Sequence, residues 1–99
     1  MSLQTLTEKV KTLVGEDSGL NSTFKFVTDE GVVFVDTKQV PNIVSNEDSA
    51  SECALEISTK NALALISGDL NPMMGYMMGK FKIKGDMEVA MKIAQTFGS

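Results

Sequence analysis

Apolar residues recur along this chain with two periods, and the alternation between them predicts its elements. Leu3, Leu6, Val10, Leu13 and Val14 fall at helical spacing among Glu8, Lys9 and Lys11, so the chain opens with an amphipathic helix that Gly15 ends. From Asn21 to Thr28 the period drops to two, with Phe24 and Phe26 on one face, which is the pattern of a half-buried strand. Asp29-Glu30-Gly31 reads as a three-residue hairpin connection into Val32–Asp36, a strand apolar on both faces and therefore expected inside a sheet. Lys38–Val44 leaves room for a short third strand, which Pro41 confines to an edge. After the polar loop Ser45–Glu52, alternation returns at Cys53–Ser58, with Cys53, Leu55 and Ile57 inward and Glu56 outward.

Thr59 is the expected cap of a helix carrying Leu63, Ile66 and Leu70. Asn71-Pro72 then has the residue order of a helix start, a capping side chain followed by a ring already set at helical φ. That short helix carries Met73, Met74, Tyr76, Met77 and Met78 and closes at Gly79. Lys80-Phe81-Lys82-Ile83-Lys84 follows as a strand with one wet and one buried face. Asp86 caps a last helix with Glu88 in its first turn and apolar positions Met87, Ala90, Met91, Ile93, Ala94 and Phe97. The order predicts one α+β domain over residues 1–99, with a mostly antiparallel sheet and helices covering one face.

Composition narrows the function. With 99 residues, 42% hydrophobic, the chain can bury one core, and a cavity would have to be lined by residues that look like core. A net charge of −4, with nine lysines and no arginine, argues against nucleic acid as a partner. The only lysine cluster, Lys80, Lys82 and Lys84, lies on the wet face of a strand. No stretch is long and apolar enough to be a membrane span. One cysteine, Cys53, forms no intramolecular disulfide and points to a reducing compartment.

The chain is poor in catalytic equipment. Histidine is absent, which removes Cys–His and Ser–His–acid nucleophile systems and the commonest metal ligand. Cys53 reads as a buried, inert thiol. Gly75-x-x-x-Gly79-Lys80 falls one residue short of a phosphate-binding loop and has Phe81 where Ser or Thr is needed. Gly79 reads instead as a helix end, and Gly75 as room for a close neighbour. Glu56, Asp86 and Glu88 have structural positions. No enzyme, metal or cofactor is expected.

Six of the seven methionines lie between Met73 and Met91. Ordinary core is one reading of them. Yet Met73, Met74, Met77 and Met78 form one face of a helix under three turns long, and methionine packs without fixing a unique arrangement. A surface that moulds around a chain-like ligand has use for such side chains.

The run from Gly68 to Ala94, G-D-L-N-P-M-M-G-Y-M-M-G-K-F-K-I-K-G-D-M-E-V-A-M-K-I-A, resembles the C-terminal half of the sterol carrier protein 2 domain. Gly68, Leu70, Pro72, Gly79, Lys80, Phe81, Lys82, Ile83 and Gly85 carry the match, whereas the N-terminal half fits in element order only. The resemblance implies a five-stranded sheet whose helices enclose a hydrophobic tunnel, and non-catalytic binding of sterols, fatty acids, acyl-CoA or similar lipids. By position it makes Met73, Tyr76, Met77, Met78, Phe81, Ile83, Met87 and Met91 lining residues, with Phe24, Phe26, Leu55 and Ile57 as the far wall. The chain lacks the Ser-Lys-Leu tail usual in eukaryotic members, so a stand-alone, cytoplasmic, bacterial protein is expected, with an acyl chain or isoprenoid quinone precursor favoured over sterol. Expected partners are the lipid itself and a membrane surface met through the lysines. The rival reading is an accessory module that docks to a lipid- or quinone-metabolising enzyme through its methionine face.

Overall fold

A computed structural model describes residues 3–15 and 21–97, with side chains through Ile93. The elements run α1 (Leu3–Val14), β1 (Thr23–Thr28), β2 (Gly31–Asp36), β3 (Ile43–Ser45), β4 (Cys53–Ile57), α2 (Thr59–Ser67), α3 (Pro72–Met77), β5 (Phe81–Gly85) and α4 (Met87–Phe97). The five strands form one sheet in the order β3-β2-β1-β4-β5. Three pairings are antiparallel, while β1 and β4 run parallel, with Phe24 beside Cys53 and Phe26 beside Leu55.

The register explains the core. Phe24 stands opposite Val35 and Phe26 opposite Val33, and Ile57 stands opposite Phe81, so one sheet face is a continuous apolar floor. Leu6, Val10 and Val14 of α1, Ala62 and Leu65 of α2, and Val89, Ala90 and Ile93 of α4 complete the same buried cluster. On the other face Lys25 donates to Asp48 Oδ1 at 2.6 Å and to the Ser49 carbonyl at 3.1 Å. These bonds hold the chain between β3 and β4 against the outer face on its way to β4, which runs parallel to β1.

Several expectations are corrected in detail. The hairpin turn is Asp29-Glu30 alone, because Gly31 already pairs with Thr28 as the first residue of β2. In α1, Leu13 lies at the edge of the stripe and is exposed, while Thr7 is buried, its hydroxyl donating to the Leu3 carbonyl and accepting from Asn46 Nδ2. Ser58, not Thr59, caps α2, its hydroxyl accepting from the Asn61 N–H. Thr59 is instead 2% exposed and donates both its N–H and its hydroxyl to Asp29 Oδ1, tying the hairpin turn to the helix. The face α2 buries is Thr59, Ala62 and Leu65, with Leu63 and Ile66 at its margin and Leu70 beyond the helix. Val89 joins the buried stripe of α4, and the side chains of Ala94 and Phe97 lie outside the described residues. At Gly85, φ is +100° and a Cβ would run into the Glu52 carbonyl, so only glycine lets β5 close on the start of β4.

Candidate functional site

The C-terminal third folds into a groove over the β4–β5 edge of the sheet. Asn71 Oδ1 accepts the N–H groups of Met73 and Met74 at 2.9 and 3.1 Å, which starts α3 at Pro72 as its residue order predicts. Gly75 is the one buried residue of that helix. A Cβ there would stand 2.9 Å from Phe81 Cε1 and 3.3 Å from Leu70 Cδ1, so its missing side chain lets the Phe81 ring come up against α3. The Tyr76 and Phe81 rings then lie 6.2 Å apart, tilted by 48°. Asp86 Oδ1 accepts the Glu88 N–H at 2.9 Å and sets α4 along the far side.

The space so formed has a volume of about 850 Å³. Leu55, Leu65, Phe81, Ala90 and Ile93 are its buried floor, and Ile83, paired beside Leu55, extends it along β5. Pro72, Met73, Tyr76 and Met77 from α3 face Met87 and Met91 from α4 across the opening, with Asn71 at one end. The rim is open to solvent: Met77 is 77% exposed, Met73 62%, and Met87 and Met91 46% and 45%. None of the described lining residues is charged. A shallower recess of about 490 Å³ lies elsewhere, beside Lys11, Gly15, Asn42, Ile43 and Val44.

Of the twelve residues expected at the site, Leu55, Met73, Tyr76, Met77, Phe81, Ile83, Met87 and Met91 come together here. Phe24 and Phe26 do not. They sit on the central strand, fully buried and in edge-to-face contact at 5.9 Å, and do not line the groove. Ile57 is also core, paired with Phe81 at the end of β4. Met78 ends α3 and is 63% exposed outside the groove, because it stands four residues after Met74, on the side of the helix that turns away from the space that Met73 and Met77 line. Leu65, Asn71, Pro72, Ala90 and Ile93 line the groove without having been assigned to it. Their types carried no hint, but Ala90 and Ile93 are spaced to lie beside Met87 and Met91 on one helix, and that spacing was a usable signal.

The charged groups stand away from the groove. The Lys84 ammonium, hydrogen-bonded to Glu56 at 2.6 Å, holds that carboxyl below its usual range on the outer sheet face, with the charge of Lys82 adding to it. Burial pushes the Cys53 thiol up to about 11, so it is protonated at neutral pH and a poor nucleophile. Among the described residues no three His, Cys, Asp or Glu side chains converge as a metal site, and no helix is long and apolar enough to cross a membrane. What the groove offers chemically is apolar contact.

Comparison with known proteins agrees on the fold. The family described as SCP-2 sterol transfer family matches residues 3–98. Sterol carrier protein 2 of Oryctolagus cuniculus is 36% identical over 52 residues, covering 52% of this chain and 10% of that protein. The chain thus spans about a tenth of the length of that relative. Among solved structures, palmitated SCP2L2 of Aedes aegypti aligns with a TM-score of 0.75 at 23% identity, covering 100% of this chain and 96% of that one. UbiJ-SCP2 ubiquinone synthesis protein aligns with a TM-score of 0.65 at 11% identity, covering 95% and 76%.

Proposed function

The chain belongs to the SCP-2 sterol transfer family, and on that premise we propose that it is a non-catalytic carrier whose groove holds the apolar chain of a lipid. One observation supports this above the others: an uncharged groove of about 850 Å³ with a buried floor and a rim of flexible methionines. Each methylene removed from water contributes about 0.8 kcal/mol, so about ten of them supply about 8 kcal/mol, partly offset by the freedom lost on binding. Methionine rims close over chains of differing shape at little strain. Bound lipid would lie across the opening and turn the groove into the tunnel that the family resemblance implies. With no charged group in the lining, a fatty acid would keep its carboxylate at the mouth, and an acyl or isoprenoid chain suits so adaptable a wall better than a rigid sterol. The relative solved in palmitated form points the same way. The carrier is proposed to work in the cytoplasm, where its single thiol stays reduced.

Titration of delipidated protein with a fluorescent fatty acid, alongside native mass spectrometry of protein purified from its own host, tests the proposal. Saturable uptake at one site, displaced by unlabelled palmitate, is expected. Absence of uptake of both acyl and isoprenoid chains would sink it. The second reading, a docking module for a lipid- or quinone-metabolising enzyme, rests on Met74 and Met78, 54% and 63% exposed and outside the groove.

A further inference from the structure

Every described methionine belongs to the open half of the molecule. The six from Met73 to Met91 are 45–77% exposed, and none is part of the buried cluster, which is built from Leu, Val, Ile, Phe, Ala and Cys53. Met73 and Met77 stand one turn apart on α3, Met87 and Met91 one turn apart on α4, and the two pairs face each other across the groove. A chain lying there passes between four thioethers. Until a guest covers them, all four are open to solvent.

A thioether has chemistry as well as shape. Its sulfur takes one oxygen from a peroxide and becomes a sulfoxide, which turns a flexible apolar side chain into a polar one. The remaining described sulfur is out of reach, because Cys53 is 1% exposed within the sheet and its thiol stays protonated. Peroxide therefore finds its reactive groups at the site and not in the core. An oxidised rim leaves the core packing intact, but a guest must then strip water from the sulfoxide oxygens, and a hydrocarbon chain offers them no hydrogen bond in return.

We infer that Met73, Met77, Met87 and Met91 are reversible oxidation sites through which hydroperoxides control the occupancy of the groove. A sulfur lone pair attacks one peroxide oxygen, and an S–O bond forms as the O–O bond breaks. The proton on the transferred oxygen passes to the departing one, which leaves as water from hydrogen peroxide or as an alcohol from an organic hydroperoxide. Sulfur gives up two electrons and the peroxide gains them. A sulfoxide reductase supplied with a dithiol returns the thioether, with water and a disulfide as products. Control of occupancy rests on the carrier proposal, whereas the place of oxidation does not.

Delipidated protein is treated with hydrogen peroxide, mapped by peptide mass spectrometry and titrated with a fluorescent fatty acid. Oxygen is expected on the methionines from Met73 to Met91 with Cys53 unmodified, and fatty-acid affinity should fall about tenfold. The urea midpoint should stay that of untreated protein, and methionine sulfoxide reductase with dithiothreitol should restore the affinity. Combining Met73→Leu, Met77→Leu, Met87→Leu and Met91→Leu should abolish the response, so that peroxide no longer changes whatever affinity the variant has. Met74→Leu with Met78→Leu, both outside the groove, should keep the full response. Unchanged affinity after complete oxidation would overturn the inference. So would an equal loss in the fourfold leucine variant, a loss that the reductase does not reverse, or a loss that comes with unfolding. Untreated protein that takes up no lipid would remove the carrier proposal and the control of occupancy together, whereas uptake that survives oxidation would remove the control alone.

Discussion

The two halves of this molecule use apolar side chains in opposite ways. Under α1 and around β1 and β2, Leu6, Val10, Phe24, Phe26, Val33 and Val35 are fully buried. Over β5, between α3 and α4, the side chains are as apolar, but those at the rim stay 45–77% exposed around an open space. Branched and aromatic residues, with few rotamers, build the dry half, and unbranched methionine builds the open one. A wall that must hold a single arrangement and a wall that must accommodate a guest call for different stiffness. The molecule meets both needs by keeping them in separate parts of one sheet, with Leu55 and Phe81 as the seam.

The largest effect that could break this division belongs to the dry half. Phe26→Ala should cost about 3–5 kcal/mol in urea unfolding, with fatty-acid affinity per folded molecule unchanged. Lost affinity with intact stability would extend the ligand site to the central strand. Met77→Asp should do the reverse. It sets a charge at the lip of the groove and is expected to weaken fatty-acid binding by about 2 kcal/mol, roughly thirtyfold, as read by titration. Its unfolding free energy should change by no more than about 0.5 kcal/mol, because Met77 is 77% exposed. A collapse of stability instead would place Met77 in the core.

The smallest effect concerns the tie between hairpin and α2. Asp29 accepts the N–H and hydroxyl of Thr59, and these bonds hold its carboxyl below the ordinary 3.8. A carboxyl lowered on folding stabilises the fold above its unfolded value, and that contribution fades as pH falls through the folded one. Between about pH 5 and about pH 3, therefore, the parent should lose slightly more stability than Asp29→Asn, measured by urea midpoints at each pH. Identical slopes would mean that the turn is held without the charge.

Much of this was legible in residue order. Alternation at Phe24 and Phe26, at Cys53, Leu55 and Ile57, and at Phe81 and Ile83 marked strands with the faces they have in the structure. Asn71-Pro72 and Asp86 marked two helix starts correctly, since capping is a local property. Ser58 was missed in favour of Thr59 because the deciding partner, Asp29, is 30 residues away. Leu65 was missed as a lining residue because α2 carries apolar positions on more than one side, and only packing chose among them.

The sequence by itself determined the elements, the inward faces of the strands and, through the Gly68–Ala94 run, the family, because periodicity, capping and glycine placement act over a few residues. It also marked eight of the residues that line the groove. Tertiary structure alone decided that β1 lies parallel to β4, and that Phe24, Phe26 and Ile57 are dry while Met73, Met77, Met87 and Met91 border open space. Periodicity says which apolar side chains share a face. Whether one of them meets another side chain or a space there depends on which distant element arrives opposite, and α3, held by Gly75 against Phe81 and ending after six residues, leaves that space unfilled.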